Sequence, residues 1–470
     1  MNKLTKIIAT IGPATEDEKI IEKLILEGVN VFRFNLKHNT ISWHNQMIEK
    51  VNKVAQKLNK HIGTLIDLQG PEIRLQFLKN QEKIILKPGQ KLVIDEEIKF
   101  SHNQIKEKLV ENQKVLVDDG YFVFKVIKEK GKIYLQSKSE GVLKDRKTVT
   151  IPGVDFELSS LVDKDLEGIK LAVFNEVDFV ALSYVRSKKD IDDLKKEIKK
   201  HNKFIPKIIA KIETKKAIDN LDEIIEASDG VMVARGDMAI EVAREVVPYF
   251  QKKIIKKALE AGKFVITATQ MLESMINNPA PTRAEVSDVA NAFYDGTDTV
   301  MLSAESASGK YPVEAVKIMT KTLAFNEKVL IEEDKEFFQP KQTDWTTIIC
   351  KSAYKMYQYL KNINEDLAGF LVLTETGRTA AVLSRFHPGL PIFAITQDKK
   401  IADFLTIGFG IYPSVFKFGK NGFLDRQVLE KIIDFISKKY QLKKNQKLIV
   451  LHGDYKGKIG GTSTVRLVKI

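Results

Sequence analysis

Eight short apolar runs, each ending in polar residues, alternate with helix-like segments over the first two thirds of the chain. They are KIIATIG (6–12), NVFRFN (30–35), IGTLIDL (62–68), VDFVALSYV (177–185), KIIAKIE (207–213), GVMVARGD (230–237), FVITATQ (264–270) and TDTVMLSAE (297–305). β-Branched runs of this length predict buried strands. The segments between most of them, such as DEKIIEKLILEG, SKKDIDDLKKEIKK and VVPYFQKKIIKKALEAG with its closing Gly262, predict helices. Strand–helix alternation predicts parallel strands, and eight units predict a (β/α)8 TIM barrel. Function in that architecture gathers at the C-terminal strand ends. There the sequence carries Arg33, Asn35, Asp67, Ser183, Lys211, Glu213, Arg235, Asp237, Thr267, Thr269 and Ser303.

The rhythm breaks once. After Asp67 the pattern stops at Gly70-Pro71 and returns near Ile151-Pro152-Gly153, and the interval holds β-like pieces rich in Gly, Pro and Asp turns. An inserted β lid domain at 70–150 is expected, splitting the barrel into 1–69 and 151–334. A lid over a barrel mouth suits the exclusion of water from chemistry. From 335 to 470, helix WTTIICKSAYKMYQYL, strand AGFLVLTETG and further alternation predict a separate C-terminal α/β domain. TETGRTAAV within it is a strand-to-helix turn of the kind that binds phosphate, or an ordinary turn with an N-cap threonine.

With 470 residues, a multidomain chain is expected. No apolar stretch reaches membrane-spanning length, and MNKLTKIIATIGPAT lacks a signal-peptide pattern, so a cytoplasmic protein is expected. The single Cys350 suits a reducing compartment and falls on a helix face that would bury it. The net charge of +13 raises nucleic-acid binding, but the lysines are mixed with acids along helix faces, and anionic metabolites are the better match.

Two runs end in charges two residues apart, Lys211 with Glu213 and Arg235 with Asp237. On a continuing strand such pairs share a face. Ions at the ends of buried strands are costly unless they bind something, and buried structural salt bridges rarely gain net stability. The preferred reading is a divalent metal on Glu213 and Asp237, with the cations collecting an anionic substrate.

In this order and spacing, ATIGPAT, FRFN, IDLQGPEIR, VDDG, TIPGV, AKIE, VARGD, ATQMLESM, NPAPTRAEVSDVANA and GKYP resemble the pyruvate kinase family along essentially the whole chain. The resemblance implies a barrel with an inserted small β-barrel lid and a C-terminal α/β domain. The implied reaction moves the phosphoryl group of phosphoenolpyruvate to ADP, giving ATP and pyruvate in the last step of glycolysis. It implies Glu213 and Asp237 as ligands of Mg²⁺ (or Mn²⁺), which takes few carboxylates plus substrate and water. Lys211 would stabilise charge on the moving phosphoryl group and Arg33 would clamp it. The backbone of Gly236 and Asp237, with Thr269, would hold the substrate carboxylate and organise proton delivery to the enolate. Asn35, His38, Arg74 and Lys147 match nucleotide positions, and a second metal would arrive with ADP. Thr374, Thr376, Gly377, Arg378 and Thr379, with the late GKIGGTSTVR, resemble a sugar-phosphate effector pocket. A homotetramer is implied, with PTRAEVSDVANA near a subunit contact and no membrane or nucleic-acid partner.

Several positions depart from the family pattern, Leu68 in place of a threonine among them. Where the family reads Asn-Phe-Ser-His this chain has Asn35-Leu36-Lys37-His38, so Lys37 replaces a serine ligand of K⁺. The other ligands persist: the side chains of Asn35 and Asp67, and the carbonyl of Leu68. A lysine aimed into that site would repel K⁺ by several kcal/mol at about 3–4 Å. Lys37 is therefore expected to supply the monovalent charge itself and make the enzyme K⁺-independent; the rival is a Lys37 turned outward to a nucleotide phosphate. Gln69 stands for a lysine beside the lid hinge, Ala239 for a glycine, and Glu375 places an acid in the effector loop. Two other classes share parts of this pattern: a different Mg²⁺-dependent barrel enzyme acting on pyruvate enolates, and an inactive regulatory or nucleic-acid-binding paralogue. Neither calls for the lid, Arg74 and Lys147 together with an intact Lys211, Glu213 and Asp237.

Overall fold

The computed structural model describes residues 3–78, 81–154, 156–201, 204–332, 344–417, 426–453 and 461–470. Eight parallel strands close into a barrel: Lys6–Thr10, Val31–Asn35, Gly63–Asp67, Phe179–Leu182, Lys207–Ile212, Gly230–Ala234, Phe264–Ala268 and Thr299–Leu302. Each is fully buried or nearly so, because the interior is packed and helices cover the outside. The register pairs Asn35 with Asp67 and Lys211 with Met232, bringing the polar ends of neighbouring strands to one level.

Helices fall where apolar spacing predicts. Glu18–Glu27 starts on the Asp17 cap and ends at Gly28 (φ +118), and Val247–Ala261 ends at Gly262 (φ +76). Both glycines adopt the left-handed conformation that closes a helix without a Cβ clash. The strands are shorter than the apolar runs. Arg235 and Asp237 lie in the helix Arg235–Glu241, not on the sixth strand, and Thr269 lies beyond the seventh. The shared-face expectation for Arg235 and Asp237 therefore fails, since residues two apart on a helix do not face together.

Between the third strand and its helix Asp163–Phe174, the insertion forms a five-stranded antiparallel sheet and two two-stranded sheets over its own apolar core. Among the described residues its strands pair in three sheets around that core. Most of its strands have only three or four residues. Its entry is held by the buried Asp165, which accepts from the backbone N–H groups of Gln69 (2.7 Å) and Gly70 (3.1 Å).

The C-terminal sheet runs Ile411–Val415, Ile392–Thr396, Leu367–Leu373, Lys447–Gly453 and Thr462–Lys469, the last antiparallel. Its helix Trp345–Asn362 buries Cys350 as expected. The expected boundary at 334/335 lies outside the described residues. The floor of the barrel sits on this domain: Thr299 Oγ1 donates to Ile407 O (2.7 Å) and Lys6 Nζ to Ile411 O (2.6 Å). Among the described residues, no helix is long and apolar enough to cross a membrane.

At that floor Asp178 accepts from Thr64 N and Oγ1, both at 2.8 Å. Burial, and then the neighbouring Asp403, raise its pKa to about 6. The folded state thus holds this proton more tightly than the unfolded chain. The stability it contributes is full below about pH 4 and is lost as pH rises through about 6. Asp178→Asn, which keeps the acceptor and removes the charge, is expected to flatten that loss. Thermal melts across this range check it, and an unchanged pH profile contradicts it.

Candidate active site

Asp67 ends the third strand, 1% exposed, between two cations. Arg33 Nε donates to Asp67 Oδ2 (2.7 Å) and Lys211 Nζ lies 3.4 Å from Oδ1. Burial opposes ionisation, but Lys211 and Arg33 hold Asp67 below its ordinary pKa. Arg33 also donates to Thr10 Oγ1 (3.0 Å), spanning the first three strands.

Lys211 is equally buried. Its ammonium donates to Ser183 Oγ (2.7 Å) and lies 3.3 Å from Glu213 Oε2. Burial disfavours the charge, yet Asp67 and Glu213 outweigh it and keep Lys211 above the usual lysine value. Glu213 Oε1 accepts from Tyr184 N (2.6 Å), while Oε2 is buried without a hydrogen-bond partner. Burial raises the Glu213 pKa against the pull of Lys211, and the nearby Asp237 raises it further. Two carboxylates pressed together, one with an orphaned oxygen, fit a bound cation. Among the described residues no group of three or more His, Cys, Asp or Glu converges on a metal position. A hard ion such as Mg²⁺, which keeps waters and takes substrate oxygens, needs only two.

Gly236 N donates to Thr269 Oγ1 (2.8 Å), so these two expected substrate groups meet. Arg235 does not join them as a substrate cation. Its guanidinium binds the carbonyls of Ala268, Thr269 and Gln270, and Asp288. Ala239 adopts no left-handed conformation, so the loss of glycine there is harmless; the positive φ falls on Ala243.

Lys37 pairs with Glu72 (2.5 Å), and its ammonium lies 5.5 Å from the Tyr184 ring centre. Burial works against its charge, but Asp237, Glu72 and Glu213 push its pKa up to about 12. Its ion pair is with Glu72, while Arg33 and Lys211 pair with Asp67. Its charge is still among those that lower Asp67. Asn35 Oδ1 accepts from Lys37 N (3.1 Å), and Leu68 O from Ser183 Oγ (2.7 Å).

The nucleotide candidates sit at the rim. Arg74 donates to Glu72 Oε2 (2.5 Å) and Arg146 O (2.9 Å), and Lys147 to Asp118 Oδ1 (2.8 Å). His38 is held below its usual pKa by burial and by the cations Arg33, Lys37 and Lys164. In the C-terminal domain Gly377 N donates to Thr374 Oγ1 (3.0 Å), Arg378 pairs with Asp344, and Thr379 meets Thr462 (2.6 Å). Arg378 N lies 3.4 Å from Thr376 Oγ1. Part of the GKIGGTSTVR segment, 457–460, lies outside the described residues.

A cleft of about 350 Å³ opens between barrel and lid, lined by Lys37, Glu72, Tyr184, Glu213, Asp237 and Glu241 together with hinge residues such as Ile151 and Gly153. Glu72, Tyr184 and Glu241 escaped sequence reasoning. Glu72 lies within GPEIR two residues before Arg74, and that spacing was the one available signal, since Lys37 reaches it only in the fold.

Two family models match: "Pyruvate kinase, barrel domain" over residues 2–316 and "Pyruvate kinase, alpha/beta domain" over 349–468. The chain is 38% identical over 475 residues to the pyruvate kinase of Thermotoga maritima, covering 99% of each. It is 38% identical over 488 residues to that of Buchnera aphidicola, covering all of both. With the Bacillus licheniformis pyruvate kinase it shares 36% over 481 residues, 99% of this chain and 80% of the relative.

Because Glu213 carries an unfavourable buried charge, Glu213→Gln is expected to raise the melting temperature in EDTA while abolishing stabilisation by Mn²⁺. Thermal shift with and without the ion checks both. A variant stabilised by Mn²⁺ as fully as the parent refutes the assignment.

Proposed function

The chain belongs to the pyruvate kinase family, and from that premise we propose how its own residues transfer the phosphoryl group of phosphoenolpyruvate to ADP. The reaction breaks the bond between phosphorus and the enol oxygen and forms one to a terminal oxygen of ADP. The enolate left behind takes a proton at carbon and becomes pyruvate. Little covalent work falls to the protein, so positioning and charge cancellation dominate.

Glu213 and Asp237 would hold Mg²⁺ (or Mn²⁺), whose chemistry there is to neutralise substrate oxygens. Lys211 and Arg33 present positive charge to the phosphoryl group as it crosses. Gly236, the Asp237 backbone and Thr269 orient the carboxylate, and a hydroxyl or water on that side delivers the proton. Asn35, His38, Arg74 and Lys147 bind ADP as the lid, 70–150, closes. The observation that carries the reading is the buried Lys211 ammonium 3.3 Å from Glu213 Oε2, an oxygen with no hydrogen bond of its own. Lys211→Met is expected to lower kcat on the order of 10³-fold. A coupled pyruvate-release assay checks it, and no Mg²⁺-dependent pyruvate formation in any salt overturns the mechanism.

K⁺ is dispensable on this reading, since the Lys37 charge already acts on Asp67 from beside Glu72. Native enzyme assayed in Na⁺ is expected to match K⁺, and Lys37→Ser to acquire K⁺ activation. Strong K⁺ activation of the native enzyme overturns it.

The turn Thr374–Thr379 is proposed to take a phosphate effector, its amides exchanging hydroxyl partners for phosphate oxygens. We further propose a cytoplasmic homotetramer. Trp345, Ile348 and Tyr359 are 76%, 41% and 67% exposed on one face of their helix, supporting self-association there. Trp345→Glu with Tyr359→Glu is expected to reduce the mass seen by light scattering. An unchanged mass argues against that face.

A further inference from the structure

Arg235 is a buried cation that the reaction, as described, does not use. Its guanidinium is 7% exposed and absent from the lining of the cleft. Nη2 donates to Thr269 O (2.5 Å), Gln270 O (3.1 Å) and Met271 Sδ (2.8 Å). Nε donates to Thr269 O (3.2 Å) and Ala268 O (3.3 Å). Nη1 anchors on Asp288 Oδ1 (2.8 Å), on the outer helix Arg283–Tyr294, and on Gln251 Oε1 (3.4 Å). One side chain thus takes three consecutive carbonyls at the end of the seventh strand.

Those carbonyls belong to a strained turn. Thr269 and Gln270 have φ of +68° and +54°, left-handed conformations that a β-branched threonine resists. Carbonyl dipoles turned to one side repel one another unless a donor lies between them. The flat guanidinium fork offers five donors in fixed directions, whereas an ammonium offers a single centre. The turn leaves Thr269 Oγ1 accepting from Gly236 N at 2.8 Å and donating to Ala268 O at 2.6 Å, one of the carbonyls that Arg235 takes, and Gly236 directly follows Arg235. The same residue therefore anchors both halves of the pair.

We propose that Arg235 is a positioning residue, a clamp that holds the left-handed Thr269-Gln270 turn and so places the Thr269 hydroxyl, whose proton exchanges Ala268 O for the substrate carboxylate when substrate binds. The proposal rests on the reading of Thr269 and Gly236 as substrate groups. Arg235 acts through Thr269 and does not touch substrate.

Steady-state kinetics on a small set of variants tests it, with circular dichroism to establish folding. Arg235→Lys is expected to lower kcat/KM on the order of 10- to 100-fold, the scale of an ångström-sized misplacement. In a Thr269→Val background the same change is expected to add less than about threefold, because the two residues act as one unit. Gln270→Gly, expected to be silent alone, should restore part of the Arg235→Lys loss by removing strain from the turn. If Arg235→Lys does not fold, Asp288→Asn, which frees the clamp's outer anchor, should show a smaller loss that also vanishes in the Thr269→Val background. Losses that multiply fully across the two sites, with no rescue by Gln270→Gly, overturn the clamp. A fully active Thr269→Val overturns the reading of Thr269 itself, whatever Arg235→Lys does.

Discussion

The Asp67 carboxylate, sealed between Arg33 and Lys211, ties the barrel mouth together. Each of the three comes from a different strand, and each would be prohibitively costly to bury alone. Paired, they bring the ends of strands two, three and five to one place. Lys211 is thereby pressed toward Glu213, and Glu213 toward Asp237. Burial and the Asp237 charge both raise the Glu213 pKa, against the pull of Lys211, and on the proposed function a bound cation would offset that repulsion.

Counting charges around the mouth sharpens the proposed chemistry. Four carboxylates, Asp67, Glu72, Glu213 and Asp237, face four cations, Arg33, Lys37, Arg74 and Lys211. Glu241 lines the same cleft as a fifth carboxylate, and on the proposed function a divalent ion would offset such negative charge. Lys37 belongs to this balance. Where the family pattern has a neutral hydroxyl, this chain adds a fixed cation and gives it Glu72 as partner.

Much of the architecture was legible. The period of the apolar runs fixes parallel strands under helices, because no other layering buries eight such runs at once. Glu213 and Lys211 were legible too, as ions that no buried strand end tolerates idly. Arg235 was misread for a physical reason. The run VMVARGD is apolar only as far as Ala234, where the strand stops and the chain turns into a helix, so spacing alone put two unrelated side chains on one face. Sequence likewise could not show that Lys37 pairs with Glu72 while Arg33, on the neighbouring strand, pairs with Asp67.

By itself, then, the sequence determined the barrel, the place of the insertion and the residue types crowding one end, since periodicity and the cost of burying charge are local properties. Which charge meets which partner was decided only by the closed barrel. Its register sets Asn35 beside Asp67, and its seventh strand ends where three carbonyls meet the Arg235 guanidinium. Ion pairing depends on separations of a few ångströms between distant segments, and only the folded chain sets those.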